Sequence, residues 1–426
     1  MAEFDTLQVY LRGQRVGVAA WIENLRCAEF QYDEDFIRSG VEVSPIMMPL
    51  SSKVYQFPEH DSLATFLGLP GLLADSMTEN FGNSLMRAWL TRKGLAFDDL
   101  SPIERLGYIG KRGMGALEFE PDLDSSANRL FDTTTSELVD IARKVLQQQE
   151  ESAKFVDEEE RLHKLIQVST SAGGAKAKAI IAYNEETHQV MSGQAECPQG
   201  FDHWIIKFSD IENSEHLSDQ NVGRLEYAYH RMAVEAGITM MESRLQTDES
   251  EAHFMTRRFD RIENTKIHVH TFCGIAHQDR NPPGNTEYET LFLTARRLGL
   301  SQESLTELYR RMVFNILARN QDDHSKNHAF FMDTDGTWAL APAYDITFSY
   351  NSSSRWIDKQ QMRCNGKRDG FTRDDLLEAA KSADVRRPER TIREVRESLS
   401  EWPEYADEAG LPRAQAAAVE SAFRNI

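Results

Sequence analysis

Asn320-Gln321-Asp322-Asp323-His324-Ser325-Lys326-Asn327 lies between a helical stretch, Gln302 to Asn320, and a short β-like stretch, His328 to Met332. A helix-to-strand loop crowded with carboxylate, imidazole, ammonium and amide groups is poor packing material, and chemistry is often carried on such loops. A solvated turn would account for the composition alone. The spacing says more: Asp322 is followed five residues later by Asn327, with Lys326 just before it. This is the D-x-x-x-x-N spacing of a phosphotransfer loop, in which the Asp orients the attacking hydroxyl and the Asn holds a magnesium ion. Lys326 is then placed to offset the charge of a transferring phosphate.

Working outward, a second carboxylate is expected on the next hairpin, and Ala341-Pro342-Ala343-Tyr344-Asp345 supplies it 18 residues after Asn327. Asp345 alone would be an ordinary loop-capping residue. In order after Asp322 and Asn327, it adds an oxygen ligand of the kind magnesium takes alongside phosphate oxygens. Upstream, Ser169 to Lys178 (STSAGGAKAK) is rich in small residues and precedes an apolar run, Ala179 to Tyr183. Small residues let backbone N–H groups approach phosphate closely; a flexible linker is the competing reading, because neither common glycine-loop motif is present. Lys207 lies inside the apolar His203 to Phe208. A strand lysine commonly points to solvent at an edge, but phosphotransfer needs a strand lysine paired with a helical glutamate. Glu226, on the helical stretch Leu225 to Ala236, is the available partner.

Composition narrows the function classes. The chain has 426 residues, 48 Lys+Arg against 68 Asp+Glu, and a net charge of −20. So acidic a surface does not grip nucleic acid unaided, since phosphate binding needs a basic face; a local basic patch or a basic partner stays open. The four cysteines, Cys27, Cys197, Cys273 and Cys364, form no CxxC pair, which fits a reducing compartment better than a disulfide framework or zinc ribbon. The opening MAEFDTLQVYLRGQRVG lacks the pattern of a secretory signal, and no stretch approaches the ~20 apolar residues of a membrane helix. A soluble, cytoplasmic protein is expected.

The chain reads as a small α/β unit, a strand-rich middle and a helical end, with expected bounds 1–118, 119–256 and 257–426. Leu7 onward alternates around Arg12-Gly13-Gln14 as a hairpin. Cys27 to Tyr32 and Pro45 to Leu50 read as strands, and Phe66 to Ser76 as a turn entering a helix that runs towards Trp89. Ser136 to Leu165 is helical and charged, and His268 to Phe272 is a further strand.

Taken together, these motifs resemble the HipA family of bacterial serine/threonine kinases, the toxins of HipBA toxin–antitoxin modules. SPIMMPL (Ser44 to Leu50), LPGLLADS (Leu69 to Ser76), GMGALEF (Gly113 to Phe119), SAGGAKAK, HWIIKF, RRFDR (Arg257 to Arg261), NQDDHSKNH and PAYD follow the family's order across nearly the whole chain. The resemblance implies an α+β, two-lobed protein-kinase-like fold with an extra N-terminal α/β subdomain and a helical C-terminal lobe. It implies ATP and Mg²⁺ as cofactors, with Asp322 as catalytic base assisted by Lys326, and Asn327 and Asp345 as metal ligands. Lys207 would hold the ATP phosphates beside Glu226. Gly173, Gly174, Ala175, Lys176, Ala177 and Lys178 would form the nucleotide loop. Arg257, Arg258 and Phe259 would face the adenine, while His324, Ser325, Lys326, Asn327 and Tyr344 complete the pocket. Ser171 falls where family members carry an autophosphorylated serine that shuts the kinase off. The implied partners are a small DNA-binding antitoxin, HipB, through which DNA is reached indirectly, and a protein substrate such as an aminoacyl-tRNA synthetase.

The sequence departs from that pattern at Lys176, where the best-known members have Gln, and at Arg257, where an acidic residue is frequent. Asp323 replaces a frequent Gly, and a second carboxylate there would raise the pKa of Asp322. Rival readings are weaker. His268 and His270 share one face of a strand but have no matching ligand set, so a half-exposed strand is preferred to a metal site. A metallohydrolase built on Asp322-Asp323-His324 leaves Lys207 and Lys326 unexplained, and Gly110 to Gly115 reads as a seam. A kinase-fold binding protein acting as co-repressor with an antitoxin, or a small-molecule kinase, stands as the alternative.

Overall fold

The computed structural model describes residues 4–124, 131–147, 176–194, 196–209, 221–248 and 251–426. The first sheet is antiparallel, in the order β4-β3-β2-β1-β5, built from β1 (Thr6–Leu11), β2 (Gln14–Ile22), β3 (Cys27–Tyr32), β4 (Tyr55–Gln56) and β5 (Leu117–Glu120). Alternation makes it: Leu7, Val9 and Leu11 are buried on one face while Thr6 and Gln8 face out. Arg12 and Gly13 join β1 to β2 with φ of 50° and 79°, the positive values that a tight two-residue hairpin turn requires. Helices Asn80–Arg92 and Pro102–Ile109 lend Met86, Leu90, Ile103, Leu106 and Ile109 to the same core. β5 returns to pair with β1, so the last strand of this unit ends at Glu120.

The second sheet runs β10-β11-β9-β7-β8-β6, from β6 (Asp132–Thr133), β7 (Lys178–Tyr183), β8 (Val190–Ser192), β9 (Asp202–Lys207), β10 (Ser243–Asp248) and β11 (Glu251–Arg257). β7 is buried along its whole length. The helix Val222–Glu235 crosses close to β11 because Gly223 lets it: a Cβ there would lie 2.1 Å from the Ala252 carbonyl oxygen and 2.4 Å from Ser209 Oγ. Gly223 N instead donates to Ser209 Oγ at 2.8 Å. After the hairpin of β12 (Arg261–Ile262) and β13 (Thr265–Lys266), a third sheet joins β14 (His268–Thr271), β15 (Ala329–Met332) and β16 (Trp338–Leu340).

The remainder is helical. Tyr288–Arg297, Gln302–Leu317, Arg373–Ser382, Pro388–Ser400, Trp402–Glu408 and Arg413–Ala422 surround a core that includes Leu308, Met312, Phe314, Leu376, Val395 and Trp402. Each such fully buried side chain contributes roughly 1.5–3 kcal/mol of transfer free energy. Among the described residues, no helix is long and apolar enough to cross a membrane.

Three local expectations give way. Pro45 to Leu50 is not a strand: Pro45 and Pro49 have no N–H to donate to a ladder, and Met48 N instead bonds Ser44 O in a turn. The helix expected to run towards Trp89 is broken into Gly71–Ala74 and Asn80–Arg92. His268 and His270 are buried rather than half-exposed, at 1% each. His268 Nε2 donates to Val43 O at 2.9 Å, and His270 lies between Asp75 (2.5 Å) and Ser44 Oγ (3.1 Å). The cover comes from the N-terminal unit, which a local pattern cannot reveal.

Candidate active site

Lys207 ends β9 opposite Lys178 of β7 and Phe254 of β11. Its ammonium donates to Glu226 Oε1 at 2.5 Å and forms an ion pair with Asp345. The lysine and glutamate side chains are 14% and 5% exposed. Burial works against the charged lysine, but Asp345 and Glu226 outweigh it, so the Lys207 pKa stands above the ordinary value. Burial raises Glu226, with Lys207 only partly opposing it. Asp345 is also penalised by burial, yet the charges of Lys207 and Lys178 hold it well below the usual carboxylate range. The backbone of Asp345 is left-handed, at φ 53°, a conformation Asp tolerates at a cost of about 1 kcal/mol.

The loop after the helix Gln302–Leu317 is pinned from several sides. Asn327 Nδ2 donates to the Asp322 carbonyl at 2.8 Å, which leaves Oδ1 as the atom a cation would use. Tyr344 OH donates to Lys326 O at 2.6 Å and Ser325 Oγ to Gln278 O at 2.7 Å. Asn327, Tyr344 and Asp345 line one small cavity with Asn320 and His328. The buried Asn320 Oδ1, His324 Nδ1 and both ring nitrogens of His328 find no protein partner, as suits a solvated polar pocket. Among the described residues no group of three or more His, Cys, Asp or Glu side chains is placed to hold a metal ion. A cation on Asn327 and Asp345 would therefore take phosphate and water oxygens for the rest of its shell.

Burial first, then the nearby charges of Asp345 and Glu79, raises the pKa of Asp322 above the ordinary value. The expected source, Asp323, is not the cause. Asp323 is buried and turned the other way: it accepts from Tyr288 OH at 2.6 Å and from Gln361 N at 2.8 Å. It anchors the loop to the helical lobe.

The remaining sequence-derived residues divide. Ser171, Gly173, Gly174 and Ala175 lie outside the described residues. Lys176 is exposed, and its charge acts on Glu226. Ala177 belongs to the apolar core of the second sheet, and the buried Lys178 is close enough for its charge to act on Asp345. Phe259 stacks on Tyr344 with ring centroids 6.0 Å apart. Arg257 pairs with Asp202 at 2.5 Å at the end of β11. Arg258 is spent elsewhere: its guanidinium grips Asp260 at 2.8 and 2.7 Å, and Asp260 also accepts from Gly115 N of the N-terminal unit at 2.7 Å. Two residues escaped the sequence reading altogether. Glu79 accepts from Lys326 at 3.0 Å and from Arg280 at 3.3 Å; neither belongs to a motif that could have flagged it.

The fold is α+β: a strand-rich middle, a helical C-terminal part and an added N-terminal unit. Residues 170–403 match the HipA-like C-terminal domain and residues 7–120 the HipA N-terminal domain. The chain belongs to the HipA family. Its structure is similar to HipA of Shewanella oneidensis MR-1, solved in a toxin–antitoxin complex with HipB and operator DNA. The TM-score is 0.64 at 16% identity, over 97% of this chain and 95% of that one. The Helicobacter pylori proinflammatory kinase CtkA aligns over 52% of this chain and 88% of its own, at 13% identity and a TM-score of 0.34. The Sinorhizobium fredii protein named "Putative kinase Y4dM" is 33% identical over 95 residues, 21% of this chain and 22% of that relative. The match thus spans about a fifth of that curated relative's length.

Proposed function

We propose that this chain is an ATP- and magnesium-dependent serine/threonine protein kinase, the toxin of a HipBA-like module. The observation that carries the reading is Lys207, held at once by Glu226 and Asp345. A strand lysine, a helical glutamate and the carboxylate of the metal site must come together for phosphoryl transfer, and here they converge from three elements. Lys207 and Lys178 would bind nucleotide phosphates, with Lys176 and the preceding Gly173 to Ala175 covering them. Asn327 and Asp345 would hold the magnesium, which neutralises phosphate charge when bound. Asp322 orients the substrate hydroxyl and accepts its proton, and Lys326 offsets charge on the transferring group. Little covalent work is asked of the protein, so catalysis is positioning plus electrostatic stabilisation. Phe259 on Tyr344 offers an aromatic wall for the base, with Arg257 nearby in sequence; the packing of Arg258 on Asp260 argues for a structural role there.

In the proposed three-part organisation (1–118, 119–256, 257–426) the nucleotide would lie between the second sheet and the helical lobe. A HipB-like antitoxin would be the partner, as HipB is for the Shewanella protein, and the charge of −20 leaves DNA contact to that partner. A translation protein such as an aminoacyl-tRNA synthetase is the proposed target class. Four free, buried cysteines suit the cytoplasm. Intact-mass and peptide mass spectrometry after incubation with Mg·ATP, beside Asp322→Asn, tests the reading. A gain of ~80 Da on Ser171, the mass of one phosphoryl group, absent in the variant, is expected. Equal modification in both proteins would overturn the role of Asp322; modification elsewhere would overturn that of Ser171.

A further inference from the structure

Glu79 reaches the catalytic-loop region from the N-terminal unit, one residue ahead of the helix Asn80–Arg92, and its carboxylate straddles two cations. Oε1 accepts from Lys326 Nζ at 3.0 Å, and Oε2 takes Arg280 Nη1 at 3.3 Å. The three side chains are sheltered, Glu79 and Lys326 at 12% exposure and Arg280 at 27%. Glu79 is the one hydrogen-bonded contact of Arg280 among the described residues, so most of the five N–H donors of the guanidinium stay available. The pair is close to the reacting end of the site. Lys326 adjoins Asn327, whose Nδ2 donates to the Asp322 carbonyl at 2.8 Å. The Lys326 carbonyl accepts from Tyr344 OH, next to Asp345, at 2.6 Å, and Arg280 is tied to Lys326 through Glu79.

A carboxylate between an ammonium and a guanidinium is a singly charged oxyanion in a slot whose donors also suit a phosphate. Guanidinium forks bind phosphate oxygens in pairs, and charge-assisted bonds strengthen with the anion's charge. Building on the kinase reading, we propose that Lys326 and Arg280 form the seat of the nucleotide's terminal phosphoryl group, and that Glu79 is a placeholder carboxylate which that group displaces. The N-terminal unit then does more than pack against the lobes. It supplies the anion that keeps two cations from lying bare when no nucleotide is bound, and the nucleotide must outcompete it.

Calorimetric titration of the full chain with Mg·ATP and with Mg·ADP tests this, since only ATP carries the third phosphate. Arg280→Ala is expected to weaken Mg·ATP by about tenfold, the scale of one lost charge-assisted bond, while Mg·ADP changes little. Arg280→Lys, which keeps the charge and loses the fork, should fall between. Glu79→Gln should bind Mg·ATP several-fold more tightly and leave Mg·ADP unchanged. Parallel losses for both nucleotides in Arg280→Ala would overturn the assignment, as would weaker ATP binding in Glu79→Gln, the mark of a carboxylate that positions Lys326. A wild-type chain binding neither nucleotide is a different result: it would remove the kinase reading itself, and the phosphate seat with it.

Discussion

Asn327 Nδ2 donates to the backbone carbonyl of Asp322 at 2.8 Å, so the proposed metal ligand also staples the loop that presents the proposed base. One residue sets two geometries. Asn327→Ala removes both the staple and the ligand oxygen, whereas Asn327→Asp keeps an oxygen ligand and loses the donor. Loss of the hydrogen bond alone costs about 1 kcal/mol, a factor of about five in a rate or an equilibrium. The alanine variant is expected to lose at least tenfold more phosphotransfer than the aspartate variant in single-turnover assays at saturating magnesium. Equal losses would show that the staple, and not the ligand, is what Asn327 supplies.

Asp260 gives a prediction about pH that does not depend on catalysis. It lies buried between Arg258 and Arg261 and accepts from the Gly115 amide. Burial pushes its pKa up, but the two arginines outweigh that and hold it well below the usual carboxylate range. A depressed folded-state pKa contributes stability that is fully present above the unfolded value, about 3.9, declines below it and is lost as pH falls through the folded value. Asp260→Asn breaks a buried ion pair and should cost roughly 3–5 kcal/mol at neutral pH. Urea denaturation of wild type and variant should show that difference shrinking steadily below about pH 4. A difference constant from pH 7 to pH 3 would mean that the charge on Asp260 is not what joins the N-terminal unit to the segment that follows β11.

What could be read in advance follows the range of the forces involved. Asp322, Asn327 and Asp345 are near one another in sequence, and Lys207 announced itself as a charge inside an apolar strand; the structure brings Lys207, Glu226 and Asp345 into contact. The hairpin of β1 and β2 was legible because alternation and turn chemistry are local. Glu79 was not: it meets Lys326 across 247 residues, through the packing of one unit on another. The same is true of His268 and His270. Alternation puts both on one face, and Val43, Ser44 and Asp75, together with the ring of Trp338, cover that face. The β10–β11 hairpin escaped notice because SRLQTD and EAHFMTR show no clean alternation. Asp323 departs from expectation for a related reason. Adjacency in sequence suggested electrostatic contact with Asp322, while the backbone turns the two carboxylates to different partners.

Gly223 links packing to the site and can be tested without touching a charged group. The helix Val222–Glu235 carries Glu226 to Lys207, and it can approach β11 only because residue 223 has no side chain. In Gly223→Ala the new Cβ would lie 2.1 Å from the Ala252 carbonyl oxygen, a backbone atom of the same sheet. A flexible side-chain tip could yield, but the backbone of a ladder strand cannot move alone, so the helix must lift. Overpacking of this kind costs about 1–3 kcal/mol. Because Glu226 lies one turn further along, the displacement also loosens its hold on Lys207, leaving the lysine to Asp345. Thermal unfolding and Mg·ATP titration should therefore fall together in Gly223→Ala, as they should in Glu226→Gln, where the ion pair is lost with the helix in place. If Gly223→Ala unfolds at a lower temperature yet binds Mg·ATP as wild type does, the helix does not set the position of Lys207, and its contact with Glu226 is a consequence of packing rather than the device that orients the site.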